Sequence, residues 1–319
     1  MKKSLIALAV AGVVSAPAFA ATANVDVYGR MHIAIEDTDA SGVDMDVKTN
    51  ASRIGFKGAE DLGGGLKAIW QIEQQFDATS SNDTAFGGSG LRNTFVGLSG
   101  GFGTVVIGRH DTPYKLSTTK YNVFADTIAD YAATRLDGVA LITGHSRASN
   151  AIAYISPNMG GLSFSGAVVT SMDQLDDGKT VDAISLAGGY ANGPLTVDMA
   201  WEDIDAANRR AWKLGAGYSF GAAKLGAVYE NVDINLGNDR DSLFLVGSFS
   251  MGAIVLKGQY GKVDYDHATV GAGKDQNAWA LGADYNLSKR STLFVVFGNG
   301  DNDSGDDISG WNLGMTHNF

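Results

Sequence analysis

Residues 24–36 read NVDVYGRMHIAIE: Asn24, Val25, Asp26, Val27, Tyr28, Gly29, Arg30, Met31, His32, Ile33, Ala34, Ile35, Glu36. The alternation is strict. Val25, Val27, Gly29, Met31, Ile33 and Ile35 fall on one face, and Asp26, Tyr28, Arg30, His32, Ala34 and Glu36 on the other. A period of two is the signature of a strand with unlike faces. A soluble sheet with its apolar face on a core looks the same over one strand, so the decision rests on how the pattern repeats.

It repeats with unequal connections. Strands are expected at 52–60 and 66–76 around the tight turn Asp61, Leu62, Gly63, Gly64, Gly65, and at 91–99 and 104–109 around 100–103. Further pairs follow at 148–156 and 162–170, 181–191 and 195–203, 209–220 and 224–234, 242–250 and 253–263, then 276–287 and 291–299, with 308–319 closing the chain. Between the pairs lie long polar connections such as 37–48 and 77–90. The count is sixteen strands, each near the roughly 9–11 residues of a tilted membrane-spanning strand, with short and long connections alternating. Strand aromatics are placed for an interfacial girdle: Tyr28, Trp70, Tyr154, Phe164, Tyr190, Trp201, Trp212, Tyr218, Phe220, Tyr229, Trp279, Tyr285 and Trp311. In the last strand Trp311, Leu313, Met315, His317 and Phe319 share a face, and the final residue is an aromatic.

The N-terminus explains how such a chain reaches a membrane. Lys2 and Lys3 precede the apolar run 5–14, and Ala18, Phe19, Ala20 form a small-x-small cleavage site, so residues 1–20 read as a cleaved signal peptide and 21–319 as the mature chain. Loss of the two lysines takes the formal net charge from −11 to −13. No later run is long and apolar enough for a spanning helix, so a membrane crossing must be a closed barrel. Glycine is abundant at 42, proline scarce at 4, and cysteine absent. The acidic balance argues against nucleic acid as a partner.

One stretch breaks the rhythm. Residues 108–147 show no sustained period-two pattern, far longer than an ordinary connection of about 2–6 residues. They carry Asp111, Asp126, Asp130 and Asp137, with Lys115, Lys120, Arg135, Tyr114, Tyr121, Phe124 and Tyr131. The reading is a loop, about 110–146, that folds into the barrel and narrows a water-filled pore.

With these elements in place the chain resembles the general diffusion porins of Gram-negative outer membranes, the subgroup of sixteen-stranded trimeric barrels. The resemblance covers the mature chain. It is carried by Ser52-Arg53-Ile54-Gly55-Phe56-Lys57-Gly58 with Glu60-Asp61-Leu62-Gly63, by 92–109 with Gly97-Leu98 and 100–103, by 150–154 with Ser156-Pro157, and by Thr316-His317-Asn318-Phe319. It implies an all-β, sixteen-stranded antiparallel transmembrane β-barrel with an inward-folded constriction loop, located in the outer membrane. It also implies passive diffusion of ions and small hydrophilic solutes, homotrimers, contact with membrane lipid and lipopolysaccharide, and insertion machinery that reads Phe319. The wall positions that look similar are Arg30, Arg53, Arg92, Arg109 and Arg147, with Lys57 and Lys67. Parity supports Arg30, Arg53 and Lys57 independently, since a lipid-facing charge at mid-bilayer costs about 2–4 kcal/mol. Arg109 shares its face with Val105 and Ile107 and is assigned by the motif alone. Arginines on one side and Asp111, Asp126, Asp130 and Asp137 on the other would set a transverse field across the constriction.

Other readings are a substrate-specific outer-membrane channel for phosphate, dicarboxylates or sugars, and a soluble exported β-sheet adhesin or lectin. No enzyme is expected, nor a cofactor or metal. The five histidines (His32, His110, His145, His267, His317) show no metal-binding spacing, and 160–166 lacks nucleophile-elbow spacing. The acidic run 301–307 lacks the register and closing Glu of a calcium loop and reads as an outer loop. The negative net charge suggests a weak cation preference.

Overall fold

The computed structural model describes residues 24–39, 45–79, 90–132, 136, 140–144, 146–170, 180–234, 239–266, 275–301 and 307–319. Seventeen strands run in chain order: β1 (Asn24–Thr38), β2 (Asp46–Thr49), β3 (Arg53–Gly63), β4 (Leu66–Gln75), β5 (Thr94–Gly100), β6 (Gly103–Asp111), β7 (Arg147–Ile155), β8 (Leu162–Val169), β9 (Ala183–Asn192), β10 (Leu195–Ile204), β11 (Arg209–Phe220), β12 (Ala223–Ile234), β13 (Arg240–Met251), β14 (Ile254–Tyr265), β15 (Gln276–Asn286), β16 (Ser291–Asp301) and β17 (Ile308–Asn318). Every pairing is antiparallel, and β17 returns to β1 with Arg30 opposite Asn318 through Thr38 opposite Gly310. Sixteen strands are the staves of a closed barrel. The seventeenth, β2, lies where a loop was expected: its four residues continue the line of β3 along β1, from Ile33 opposite Thr49 to Glu36 opposite Asp46. Ala51, in the left-handed region at φ +53°, turns the chain between the two.

The solvent pattern is that of a soluble protein turned inside out. Along β11 the outward Leu214 and Phe220 are 46% and 59% exposed, whereas the inward Ala211 and Lys213 are at 2% and 0%. The same parity holds in β1, where Val25 and Val27 are exposed and His32, Ala34 and Glu36 are buried inside. Apolar outer faces on a sheet with no free edge are what hydrocarbon demands, because each unpaired backbone group there costs several kcal/mol. Tyr28 is a correction to the expected girdle: it points into the lumen, where its hydroxyl donates to Glu73 at 2.9 Å.

The end of the chain completes the seam. Gly29 N donates to Phe319 O at 3.0 Å and Phe319 N to Gly29 O at 3.1 Å. The Phe319 ring lies so close over Gly29 that a Cβ there would collide with it.

The parity predicts a sharp asymmetry in tolerance to charge. Leu214→Arg, outward at mid-strand, is expected to cost about 2–4 kcal/mol in urea unfolding from lipid vesicles. Ser165→Arg, facing the water of the lumen, is expected to cost far less.

Candidate pore constriction

The described residues among 112–146 leave the end of β6 and fold into the lumen. The departure is built from Gly108 at φ +142° and a register shift between Gly108 and His110 against β7, and Asp111 opposite Arg147 closes the base. A short helix α1 (Pro113–Thr118) follows; Pro113 suits its first turn and the Thr112 side chain accepts from Lys115 N at 3.2 Å. A single 3-10 turn, Thr119–Tyr121, carries the chain on.

The loop is bonded to one side of the barrel interior. Tyr121, Tyr131, Leu141 and Ile142 pack on Val228, Phe244, Val246, Val263 and Ala278, all inward positions of β12 to β15. Phe124, Ile128, Ala129 and Leu136 pack on Ala34, Ala280, Phe294 and Val296. Each buried Val, Leu, Ile or Phe among them contributes about 1.5–3 kcal/mol, so the apolar inner wall and the loop's aromatics form the protein's internal core. The Tyr121 ring lies on bare backbone: a Cβ on Gly215, Gly217 or Gly226 would stand 2.6, 3.0 or 2.8 Å from its atoms.

Polar anchors fix the loop's register. Glu230, fully buried, accepts from the Tyr114 hydroxyl at 2.8 Å and from Thr143 N and Oγ1 at 2.8 and 2.9 Å. Burial pushes the Tyr114 hydroxyl's pKa up, and the Glu230 charge adds to this. Lys213 Nζ sits 4.0 Å over the Tyr114 ring, and Arg209 pairs with Glu202 while donating to Thr143 Oγ1 at 2.8 Å. Arg240 donates to the carbonyls of Ala140 and Leu141, Gln259 to that of Ala129, and Asp198 holds both the Tyr121 hydroxyl and Lys120. These wall residues were not singled out from the sequence. The available signal was a charge on an otherwise small or apolar inward face: Lys213 between Ala211 and Gly215, Glu230 between Val228 and Val232.

The exposed side of the loop meets the basic wall. Asp126, at φ +64°, pairs with Arg30 Nη1 at 2.7 Å and stands 3.9 Å from Arg53 Nη1. Asp111 takes Lys115 Nζ at 2.6 Å, Arg147 Nε at 3.0 Å and Asn93 Nδ2 at 3.0 Å. Burial draws the Lys115 ammonium's pKa down, against the pull of Asp111. Between these two contacts Arg92 holds Glu73 at 2.5 Å and Gln75 Oε1 at 2.9 Å, and Lys57 sits 5.3 Å from the Tyr28 ring. Glu73 is thus a wall carboxylate that the sequence reading did not rank among the site residues.

Two expected site residues lie elsewhere in role. Asp130 does not face the wall. Its carboxylate accepts from Asn122 Nδ2 and from the backbone N–H groups of Asp126 and Ala132, and burial pushes its pKa up despite those bonds. It shapes the tip that presents Asp126. Arg109 reaches none of the described loop acids; its guanidinium donates to Leu91 O at 2.8 Å and Ser149 Oγ at 2.6 Å, tying the flanking segments together. Asp137 and most of the acidic run 301–307 lie outside the described residues. Among the described residues no group of three or more His, Asp or Glu side chains forms a metal-ligand set.

The bare wall under Tyr121 gives a direct test. Gly226→Leu is expected to cost about 1–3 kcal/mol by overpacking and to split the single-channel current into several levels as the loop is lifted. Tyr121→Ala in the same chain is expected to relieve both effects, read by urea unfolding and planar-bilayer recording.

Comparison with known proteins agrees with this architecture. A family model described as Gram-negative porin matches residues 7–306. Outer membrane porin protein 32 of Delftia acidovorans is 32% identical over 92% of this chain and 88% of its own. The major outer membrane protein P.IB of Neisseria meningitidis serogroup B is 30% identical over 93% of each. Among solved structures, the anion-selective porin from Comamonas acidovorans superposes with a TM-score of 0.76 at 26% identity, covering 93% of this chain and all of that one. With a closed sixteen-stave barrel, an inward loop and this match over nearly the whole sequence, the chain belongs to the Gram-negative porins and forms an outer-membrane channel for passive diffusion.

Proposed function

We propose that the channel is a general diffusion pore that favours small anions. The observation that carries this is the charge balance at the constriction. Arg30, Arg53, Arg92, Arg147 and Lys115 surround it, against the carboxylates of Asp126, Asp111 and Glu73. The acidic residues that make the whole chain negative are spread over the remainder of the molecule, and beyond about 8 Å their field is screened at physiological salt. In a narrow lumen the nearest fixed charges decide which ion is stabilised. This reverses the weak cation preference suggested by net charge alone. The anion-selective porin from Comamonas acidovorans, 26% identical over the same barrel, is consistent with it.

Several further features belong to the same proposal. The chain is a channel without enzymatic activity, exported behind a leader cleaved near Ala20, and it associates as a homotrimer. An uneven aromatic belt supports the trimer. Near the long-connection ends, outward aromatics occur on β10, β11, β12, β14, β15 and β17 as Trp201, Trp212, Tyr229, Tyr260, Trp279 and Trp311. On β5, β6, β7 and β9 the outward residues there include Val96, Ile107, Ile152 and Ile184 and no aromatic, whereas β3 and β4 carry Phe56 and Trp70. Aromatic rings suit the headgroup region, whereas an aliphatic wall suits a protein neighbour. The aromatic-belted half would contact lipid and lipopolysaccharide, and the outward Phe319 at the seam would be read by the insertion machinery.

Under a KCl gradient the reversal potential is expected to carry the sign of chloride permeation, and current is expected to rise linearly with salt, as for a pore without a dedicated solute. Arg30→Gln combined with Arg53→Gln is expected to move the potential toward the potassium side and Asp126→Asn away from it; a cation-selective parent channel sinks the proposal. For the trimer, the absence of native cysteine makes crosslinking clean. Val96→Cys is expected to yield crosslinked subunits with a short bifunctional reagent in membranes, and Leu214→Cys none.

A further inference from the structure

The inner wall carries apolar residues of two kinds. Those of β12 to β16 lie under the loop, as described above. A second set does not: Ile69 on β4 and Phe95 on β5 are only partly buried and rest on Val106, Ala153 and Ala167, with no described loop residue in the cluster. They face a recess of about 640 Å³ in the half of the barrel nearer the short turns. Apolar surface left facing the water of a lumen contributes nothing to folding, so its value is open to a passing solute.

Four charged side chains frame that surface. Asp26 stands opposite Lys57 in the β1–β3 register, and Asp61 opposite Lys67 in the β3–β4 register. All four line the recess and are exposed. Among the described residues neither Asp26 nor Lys67 is paired within 4 Å, and the Lys57 ammonium has only the Tyr28 ring, at 5.3 Å. Asp61 Oδ1 accepts from Gly63 N at 2.8 Å, and among the described residues its other oxygen has no partner. The recess is therefore neutral overall, with separate positive and negative points either side of an apolar shelf. Directly opposite residues of a sheet have Cβ atoms about 4.5–5.5 Å apart, a spacing that suits a ligand bearing both charges close together.

We propose that this recess is a weak binding site for zwitterionic solutes with an apolar side chain, amino acids of the leucine and phenylalanine type. The carboxylate meets Lys57 or Lys67, the ammonium meets Asp26 or Asp61, and the side chain covers Ile69 and Phe95. A simple anion of the same shape meets the two lysines but also the two unscreened aspartates. A zwitterion without a side chain leaves the shelf wet. The site lies beyond the arginine constriction and adds a preference among solutes that have already passed it, or that approach from the short-turn side.

The test uses the full-length protein in planar bilayers in KCl, with L-phenylalanine added to the short-turn side. The expected result is a saturable reduction of single-channel current at concentrations where glycine and 3-phenylpropionate have little effect. Ile69→Ser and Lys67→Gln are each expected to raise the half-blocking concentration several-fold, measured against each variant's own KCl current and with heat-modifiable gel migration showing a folded barrel. Phenylalanine no more effective than glycine overturns the proposal. So does 3-phenylpropionate matching phenylalanine, which marks a plain anion site, or an unchanged half-blocking concentration in folded Ile69→Ser.

Discussion

Everything in this protein follows from the requirement that no backbone N–H or C=O be left unpaired in hydrocarbon. A sheet meets it only by closing on itself. Here closure is the β1–β17 ladder, finished by the reciprocal bonds of Gly29 and Phe319. Closure makes the outside apolar and the inside wet, and so creates the problem that the rest of the molecule addresses, namely how a barrel without a solid core holds anything at a defined place in its lumen.

The loop between β6 and β7 meets that problem by bringing a small core with it. On one side of the interior, from β11 to β16, apolar and glycine positions receive Tyr121, Phe124, Leu136 and Leu141. The buried charges Glu230 and Arg240 sit where the loop's polar groups need partners, and the buried Glu230 carboxylate is tolerable because its oxygens accept bonds from Tyr114 and Thr143 and Arg240 stands 3.7 Å away. Docking on one side leaves the other side open. The constriction is the gap between a rigid, docked loop and the arginines of β1 and β3 with Arg92 and Arg147. On the function proposed above, its electrostatics come from a few fixed charges at short range rather than from the net charge of the chain.

Legibility in the sequence tracked the range of the interaction. Strand parity placed Arg30, Arg53 and Lys57 on the inward face, because alternation is a property of each strand taken alone. It gave the number of staves and the identity of the inserted loop for the same reason. Parity and motif disagreed at Arg109, and the structure gives its guanidinium to Leu91 and Ser149 rather than to the loop acids. Asp130 was chosen for its charge alone, yet its carboxylate turns back onto the loop's own N–H groups, a local fold no periodicity encodes.

The sequence by itself determined that this is a sixteen-stave β-barrel with one long inward segment, since a period of two and a broken rhythm are both written residue by residue. Which charges meet was decided only by tertiary structure. Arg30 and Asp126 are 96 positions apart, and Tyr114 and Glu230 are 116 apart. Their encounter depends on the register of every ladder between them and on the wall the loop adheres to. Local pattern carries no information on either, because each is a property of the closed barrel as a whole.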